Sequence, residues 1–297
     1  MSELLASVVV AVRDDERVRR LLASLVQQTM PPDQYEVIVV ENGSMELPDV
    51  DGLADVVRYL HSPQANSAAA RNLGLAAARG RYVLLTDADC VADAGWVAAH
   101  CGALATTGAA AVGGTIRKYR SRTWVQRYAT TIVNGQAVLS YLPALHLPYV
   151  AGANAGFDAA ALRAVGGFDD DLQSGNDVDV CYKLGLRGGT VAVTPAAVVW
   201  HEDRATLAAH FRRFRFYAQF QVLLYAKYKH VSGKRLVLDH YPFTRTAQAL
   251  SALPRALASL VHCDAVLALT AFLQVVEAAG VLVGEIEGAV RFRQLYL

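Results

Sequence analysis

The sequence predicts an α/β protein in which a mostly parallel sheet is flanked by helices and followed by a C-terminal helical extension. Strand and helix signals alternate through the first two-thirds of the chain. The strands read as continuous apolar runs, the pattern of strands covered on both faces. After His201 the strand signals cease and the remainder reads as helices. With 297 residues, 54% hydrophobic and 19% charged, the chain can bury a large core without staples and is not intrinsically disordered. Its 28 Lys and Arg against 27 Asp and Glu, a net charge of +1, give no support to a general nucleic-acid binder.

The apolar run Leu4–Val12 has Glu3 before it, Asp14-Asp15-Glu16 after it and no basic n-region, so it reads as a strand over Ser7–Val12 rather than a signal peptide. Val18, Leu21, Leu22, Leu25 and Val26 mark one apolar helix face, ended by Pro31-Pro32. Glu36–Val40 is a second strand, closed by the turn Glu41-Asn42-Gly43-Ser44, and a third is expected near Val56–Leu60. Asn66-Ser67 opens an Ala-rich helix that stops at Gly80, and Arg81–Thr86 is a fourth strand. From Arg117 to Pro148 the pattern weakens, as a flap over a site or an irregular insertion would make it. A helix carrying Cys181, Tyr182 and Leu184 and an apolar strand ending at His201 complete this part.

Between Arg204 and Leu238 lie eight Lys and Arg and no acid, interleaved with aromatics. A solvated helix face with an aromatic core side, an anionic membrane or lipid-phosphate contact, and a subunit interface in a homodimer all fit it. Leu257–Val283 is strongly apolar but holds His262, Asp264, Gln274 and Glu277, leaving no clean stretch of about 20 residues to span a bilayer. Packed helices or a peripheral membrane contact through 204–283 remain the readings. Cys90, Cys101, Cys181 and Cys263 lie far apart, which argues for reduced thiols and a cytoplasmic protein, peripheral at the membrane in the second reading.

In parallel sheets, ligands sit beyond the carboxyl ends of the strands. Three polar turns fall there: Arg13-Asp14-Asp15, Glu41-Asn42-Gly43-Ser44 and Asp87-Ala88-Asp89. Two carboxylates two residues apart after a buried strand offer hard oxygens to Mg²⁺ or Mn²⁺, or form a solvated turn. Arg71, one turn into its helix, can bind a phosphate, orient those carboxylates or make a surface salt bridge. Asp177 would stand near a helix N-terminus, as a general base or an ordinary cap. Asp177 and Asp179, two apart, do not share a helix face. His201, at a strand end, is a structural histidine or a further metal ligand.

Taken together and in this order, Val8–Val12, Val39-Val40-Glu41-Asn42-Gly43-Ser44, Asn66…Arg71-Asn72, Tyr82…Asp87-Ala88-Asp89, Gly166-Gly167-Phe168-Asp169, Gly175-Asn176-Asp177-Val178-Asp179 and Val199-Trp200-His201 resemble glycosyltransferase family 2, inverting enzymes of GT-A fold. The resemblance covers roughly residues 5–203. It implies a nucleotide-diphospho-sugar donor across the first half of the sheet, with a UDP-sugar expected. Ala11, Arg13 and Glu41 correspond to base-binding positions, Asn66 and Arg71 fall beside the donor, and Asp87 matches the residue on ribose or sugar. Asp89 matches the residue that holds a divalent metal, Mg²⁺ or Mn²⁺, and His201 a histidine that in some members reaches it. Asp177 matches the general base. Asn176 stands where a glutamate commonly faces the acceptor, and Trp124 is taken as a second acceptor contact.

The chain departs from the family's pattern at Val10-Ala11-Val12-Arg13-Asp14, which lacks a proline and an aromatic, and at Glu41-Asn42, which replaces an Asp pair and leaves the base open among uracil, thymine and guanine. No Q-x-x-R-W follows, so transfer of a single sugar to an acceptor hydroxyl is expected rather than processive synthesis. The expected division is a GT-A catalytic domain over 1–203, with a nucleotide-sugar half at 1–116 and an acceptor half at 117–203, and a helical region over 204–297. Two rivals stand beside this reading. Asp87-Ala88-Asp89-Cys90-Val91 also fits the nucleophile pattern of a haloacid-dehalogenase-like phosphatase, and a non-catalytic GT-A scaffold would keep the same fold.

Overall fold

Strand faces explain the continuous apolar runs. In β1 (Ala6–Val12), β2 (Tyr35–Asn42) and β4 (Tyr82–Thr86) successive side chains point to opposite faces. Val8, Val10, Val37, Val39 and Leu84 pack on α1 (Val18–Leu25) and α3 (Trp96–Thr107), through Leu21, Leu22, Leu25, Trp96 and Val97. Val9, Ile38, Val40, Val83 and Leu85 pack on the other side with Ala68, Ala70 and Leu75 of α2 (Ser67–Ala77). Both faces are covered, so both are mostly apolar, and a buried polar group such as Glu36 is paired, with Ser7, Arg58 and Arg79. Gly74 lets α2 rest on the strand: a Cβ there would lie 2.3 Å from Cγ1 of Val9.

The computed structural model describes residues 4–43, 57–129, 140–141, 147–231, 254 and 265–294. Ser44, Val56, residues 130–139 and 142–146 of the expected flap, Cys263 and the segment 232–253 of the expected tail fall outside them. The remaining strands are β3 (Val57–Ser62), β5 (Cys90–Ala92), β6 (Ala111–Lys118), the short β7 (Ser140–Tyr141) and β8 (Pro148–Tyr149), β9 (Asn154–Asp158) and β10 (Val191–His201). Two further helices are α5 (Ala159–Ala164) and α6 (Asn176–Leu186). Eight strands form one sheet in the order β3-β2-β1-β4-β9-β6-β10-β5. β3, β2, β1 and β4 are mutually parallel, which aligns the ends of β1, β2 and β4 along one edge.

The sheet is mixed where the sequence signal was weakest. β9 runs antiparallel between β4 and β6, and β5 antiparallel on β10. The run Asn154-Ala155-Gly156-Phe157-Asp158 has too few apolar residues to read as a core strand. Its place is secured by Asn154, whose Nδ2 donates to the Thr115 and Ala197 carbonyls at 2.9 Å each. Its Oδ1 accepts from Trp96 Nε1 and His100 Nε2, both at 2.8 Å. Burial pushes His100 down to about 4, against the upward pull of the Asn154 bond, so the ring is neutral.

Contacts divide the chain into two compact units. The first, Met1–Tyr119, Ile132–Ser140 and Leu147–Glu202, holds the large sheet. The second, Arg120–Thr131, Tyr141–His146 and Asp203–Leu297, holds three helices among its described residues: α4 (Trp124–Tyr128), α7 (Leu207–Tyr228) and α8 (Ala265–Phe292). α8 runs alongside α7 in the same direction, with Gly280 against Phe211 and Phe214, Gly284 against Arg215, and Gly288 against Gln219 and Val222. The expectation that no stretch is fit to span a bilayer is corrected here. Val266–Phe292 is long and apolar enough by length and composition. Glu277, counted as an interruption, is paired with His210 of α7 at 2.9 Å and leaves the helix unbroken.

Candidate active site

The aligned edge of the first unit gathers most of the predicted residues. Asp87 and Asp89 follow β4, and the backbone turns sharply enough for the Cys90 N–H to reach the Asp87 carbonyl at 3.0 Å. This turn gives the two carboxylates different surroundings. Asp87 is 41% exposed, while Asp89 is buried. Asp89 Oδ1 lies 3.4 Å from His201 Nε2 at the end of β10, and its Oδ2 lies 3.7 Å from Arg17 Nη2. Two bonds to Asp15, from Nε at 2.8 Å and Nη2 at 2.7 Å, hold the guanidinium and keep Arg17 above its ordinary pKa. Burial, then the Asp89 and Asp87 charges, push the Cys90 thiol well above its ordinary value, so it stays protonated beside the site.

Arg71 links the two halves of this edge. Its Nη2 donates to Asp87 Oδ1 at 3.1 Å and its Nη1 to Asn176 Oδ1 at 2.6 Å. The guanidinium has room because position 152 is glycine; a Cβ there would stand 3.1 Å from both terminal nitrogens. Asn176 is buried and also donates weakly to the Leu172 carbonyl at 3.3 Å, so it turns toward Arg71 and away from solvent. Asp177 lies in the first turn of α6, after Gly175 in the left-handed region at φ 76°. Its Oδ2 accepts the Gly152 N–H at 2.7 Å and its Oδ1 accepts its neighbour Val178 N–H at 3.0 Å. Those bonds fix its orientation. Asp179 is buried and paired with Lys183 at 2.8 Å.

Glu41 is buried near the end of β2, its Oε2 2.7 Å from His61 Nδ1 on β3. Asn66 uses its side chain within the fold: Oδ1 caps α2 by accepting from Ala68 N at 2.9 Å, and Nδ2 donates to the Asp170 carbonyl at 2.5 Å. Ala11 lies half-buried in β1, opposite Val40. Arg13 is exposed near Asp14, which takes the left-handed φ of 47°. Trp124 belongs to the helical unit, where its ring lies 6.3 Å from that of Phe272. Sequence reasoning missed Arg17 and Gly152. A basic residue two positions beyond Asp15 was the available sign of the first, whereas a backbone donor carries no sequence signal.

A divalent cation fits this donor set. One buried carboxylate is a ligand that Mg²⁺ or Mn²⁺ accepts, with water and phosphate oxygens completing the shell, and the imidazole nitrogen beside it suits the transition metal Mn²⁺ better than Mg²⁺. Among the described residues no group of three or more His, Cys, Asp or Glu is arranged to hold a metal alone, so the substrate would have to supply the remaining ligands.

The family model described as glycosyl transferase family 2 matches residues 7–166. A pre-mycofactocin glycosyltransferase of Mycobacterium tuberculosis is 33% identical over 220 residues, covering 71% of this chain and 45% of that protein. Glycosyltransferase AglE of Haloferax volcanii is 30% identical over 122 residues, 37% of this chain and 38% of the relative. The chain therefore spans less than half the length of these relatives. Among solved structures, a mannosyltransferase of Pyrobaculum calidifontis in complex with GDP-Man and Mn²⁺ aligns with a TM-score of 0.59 and 20% identity, over 93% of this chain and 86% of that one. That likeness is one of fold, the GT-A fold.

Proposed function

The chain belongs to glycosyltransferase family 2 and is a glycosyltransferase, and from that premise we propose an inverting, metal-dependent transfer of one sugar from a UDP-sugar to an acceptor hydroxyl. The observation that carries this reading is Asp177. Two backbone N–H groups orient its carboxylate, and one contact away Arg71 holds Asp87. A base and a donor-binding carboxylate so linked suit a displacement in which donor and acceptor approach from opposite sides.

In this reading Asp177 accepts the proton of the acceptor hydroxyl as its oxygen attacks the anomeric carbon. One displacement inverts that centre. Asp87 and Arg71 bind the donor's ribose or sugar and its diphosphate. Asp89 and His201 would hold Mg²⁺ or Mn²⁺, which supplies positive charge against the departing diphosphate. Arg17, drawn back by Asp15, adds fixed positive charge beside Asp89. Asn66, which caps α2 and holds the loop around Asp170, stays assigned to the donor side. Fixing both reactants in line can contribute on the order of 7–11 kcal/mol.

Glu41, with Ala11 and Arg13 at the end of β1, forms the base-binding end. A carboxylate only accepts, so it suits a base edge bearing an N–H, as uracil and guanine both do. The GDP-Man complex of the Pyrobaculum neighbour favours a GDP-sugar as the second reading. Asn176 stays assigned to the acceptor side; we retain 1–203 as catalytic domain and 204–297 as helical region, the segments 120–131, with Trp124, and 141–146 grouping with the helical unit. Three buried free thiols, Cys90, Cys101 and Cys181, support a cytoplasmic site of action. The family match leaves the dehalogenase-like phosphatase without support, and suitable side chains at the candidate catalytic positions argue against a non-catalytic scaffold.

A thermal-shift panel of UDP-, dTDP- and GDP-sugars with Mn²⁺ or Mg²⁺ tests the donor, since a bound ligand raises stability by RT ln(1 + [L]/Kd). A shift with one nucleotide class, dependent on metal, is expected. No shift with any of them would overturn the reading.

A further inference from the structure

Charge is unevenly distributed along the chain. Residues 203–297 hold 12 Lys and Arg against 6 Asp and Glu, whereas residues 1–202 hold 16 against 21. The near-neutral total hides a basic C-terminal region. On α7, Arg212 is exposed beside Phe216 and Tyr217, themselves 39% and 40% exposed.

α8 adds an apolar surface to this charge. Phe272, Leu282, Val283, Ile286 and Val290 are between 37% and 76% exposed. At 3.6 residues per turn they fall in one stripe without a charged residue, about 27 Å long from Phe272 to Val290. The acids of α8 lie elsewhere: Glu277 meets His210, Glu285 is buried, and Glu287 meets Arg215. The Arg215–Glu287 pair also marks where the two surfaces adjoin. Arg212 lies one turn before Arg215 on α7, and Val283 and Val290 lie one turn to either side of Glu287 on α8. Basic and apolar surfaces therefore share one side of the helix pair. Trp124, 39% exposed, stands against Phe272 at the N-terminal part of the stripe.

We propose that this side of the helical unit docks on an anionic bilayer surface, with the α8 stripe and Trp124 at the boundary of headgroups and acyl chains and Arg212 among the lipid phosphates. Cations beside an exposed apolar stripe match an anionic lipid surface on both counts. A tryptophan, apolar with one polar N–H, suits that boundary. α8 lies on the surface rather than crossing it, because its glycine side is packed along α7, which carries Arg212, Arg213, Arg215 and Lys227.

Co-sedimentation of the full chain with phosphatidylcholine vesicles, with and without phosphatidylglycerol, tests this. Binding to the anionic vesicles only, weakened by salt, is expected. Val283→Gln and Val290→Gln, which change no charge, should each reduce partitioning by about tenfold. Arg212→Gln should reduce it by about fivefold, the worth of one basic residue near an anionic surface. Unchanged circular-dichroism melting would show these variants folded, and equal binding by folded variants would overturn the proposal. So would failure of the wild-type chain to sediment. A dimer that forms without vesicles and is lost in the valine variants would assign the stripe to a second copy instead. Carbonate extraction that leaves the chain in the pellet would replace surface docking with a spanning helix.

Discussion

Arg71 donates to Asn176 across 105 residues of sequence, at 2.6 Å, while its other terminal nitrogen holds Asp87. This bridge joins the strand-end carboxylates to the start of the helix that carries Asp177. The family's usual glutamate at the Asn176 position would meet the same guanidinium as an anion. With the neutral asparagine there, Asp87 is the carboxylate that Arg71 bonds, and in the proposed function this leaves more of the Arg71 charge for the donor's phosphates.

Replacement of Arg71 by methionine keeps the length of the side chain and removes its charge-assisted bonds. Such bonds are worth about 1.5–3 kcal/mol each, so kcat/KM for the donor should fall by about tenfold to a hundredfold. Lysine at the same position should recover only part of it, because one ammonium cannot repeat the two-pronged contact. Steady-state kinetics against donor concentration would decide; values equal to wild type would remove Arg71 from the donor site.

Asp177→Asn keeps the shape and one acceptor oxygen for the Gly152 N–H, but the amide cannot take a proton. Turnover should drop by about 10²–10⁴ while donor affinity, read by calorimetry, stays within about twofold. Wild-type turnover would show that the base lies elsewhere.

Chelation should abolish transfer, and Mn²⁺ or Mg²⁺ should restore it. Asp89→Ala should weaken metal-dependent nucleotide binding, measured by titration calorimetry with and without Mn²⁺. The variant removes the carboxylate that Arg17 and His201 both approach. Identical affinities in the two proteins would count against Asp89 as the metal ligand.

Stability toward acid should depend on Glu36, away from the site. Burial would raise its pKa, but bonds from the Arg79 side chain and backbone, Ser7 and Arg58 outweigh that and hold it below its ordinary 4.5. A carboxylate depressed on folding stabilises the protein fully above its unfolded pKa, and loses that contribution as pH falls through the folded one. Glu36→Gln should therefore be less stable than wild type at neutral pH, by about 1–3 kcal/mol. The gap should close below pH about 4. Denaturant melts at neutral and acidic pH measure both, and a gap independent of pH would exclude the ionised network as its source.

Much of the fold could be read from local pattern, because strands buried on both faces are largely apolar and strand-helix alternation favours parallel pairing. The turn after β4, the N-cap at Asn66 and the position of Asp177 in the first turn of its helix follow from such signals. β9 could not be read from an apolar run, since of its five residues Ala155 and Phe157 are the hydrophobic ones in the core while Asn154 bonds to β6, β10 and α3. The same holds for Gly152, whose backbone N–H orients Asp177 without any side chain to announce it. Residue types and their order along the chain were enough to specify the layers and the candidate carboxylates. Which oxygen meets which nitrogen was decided only by folding, because those contacts join segments remote in sequence, and distance along the chain carries no record of distance in space.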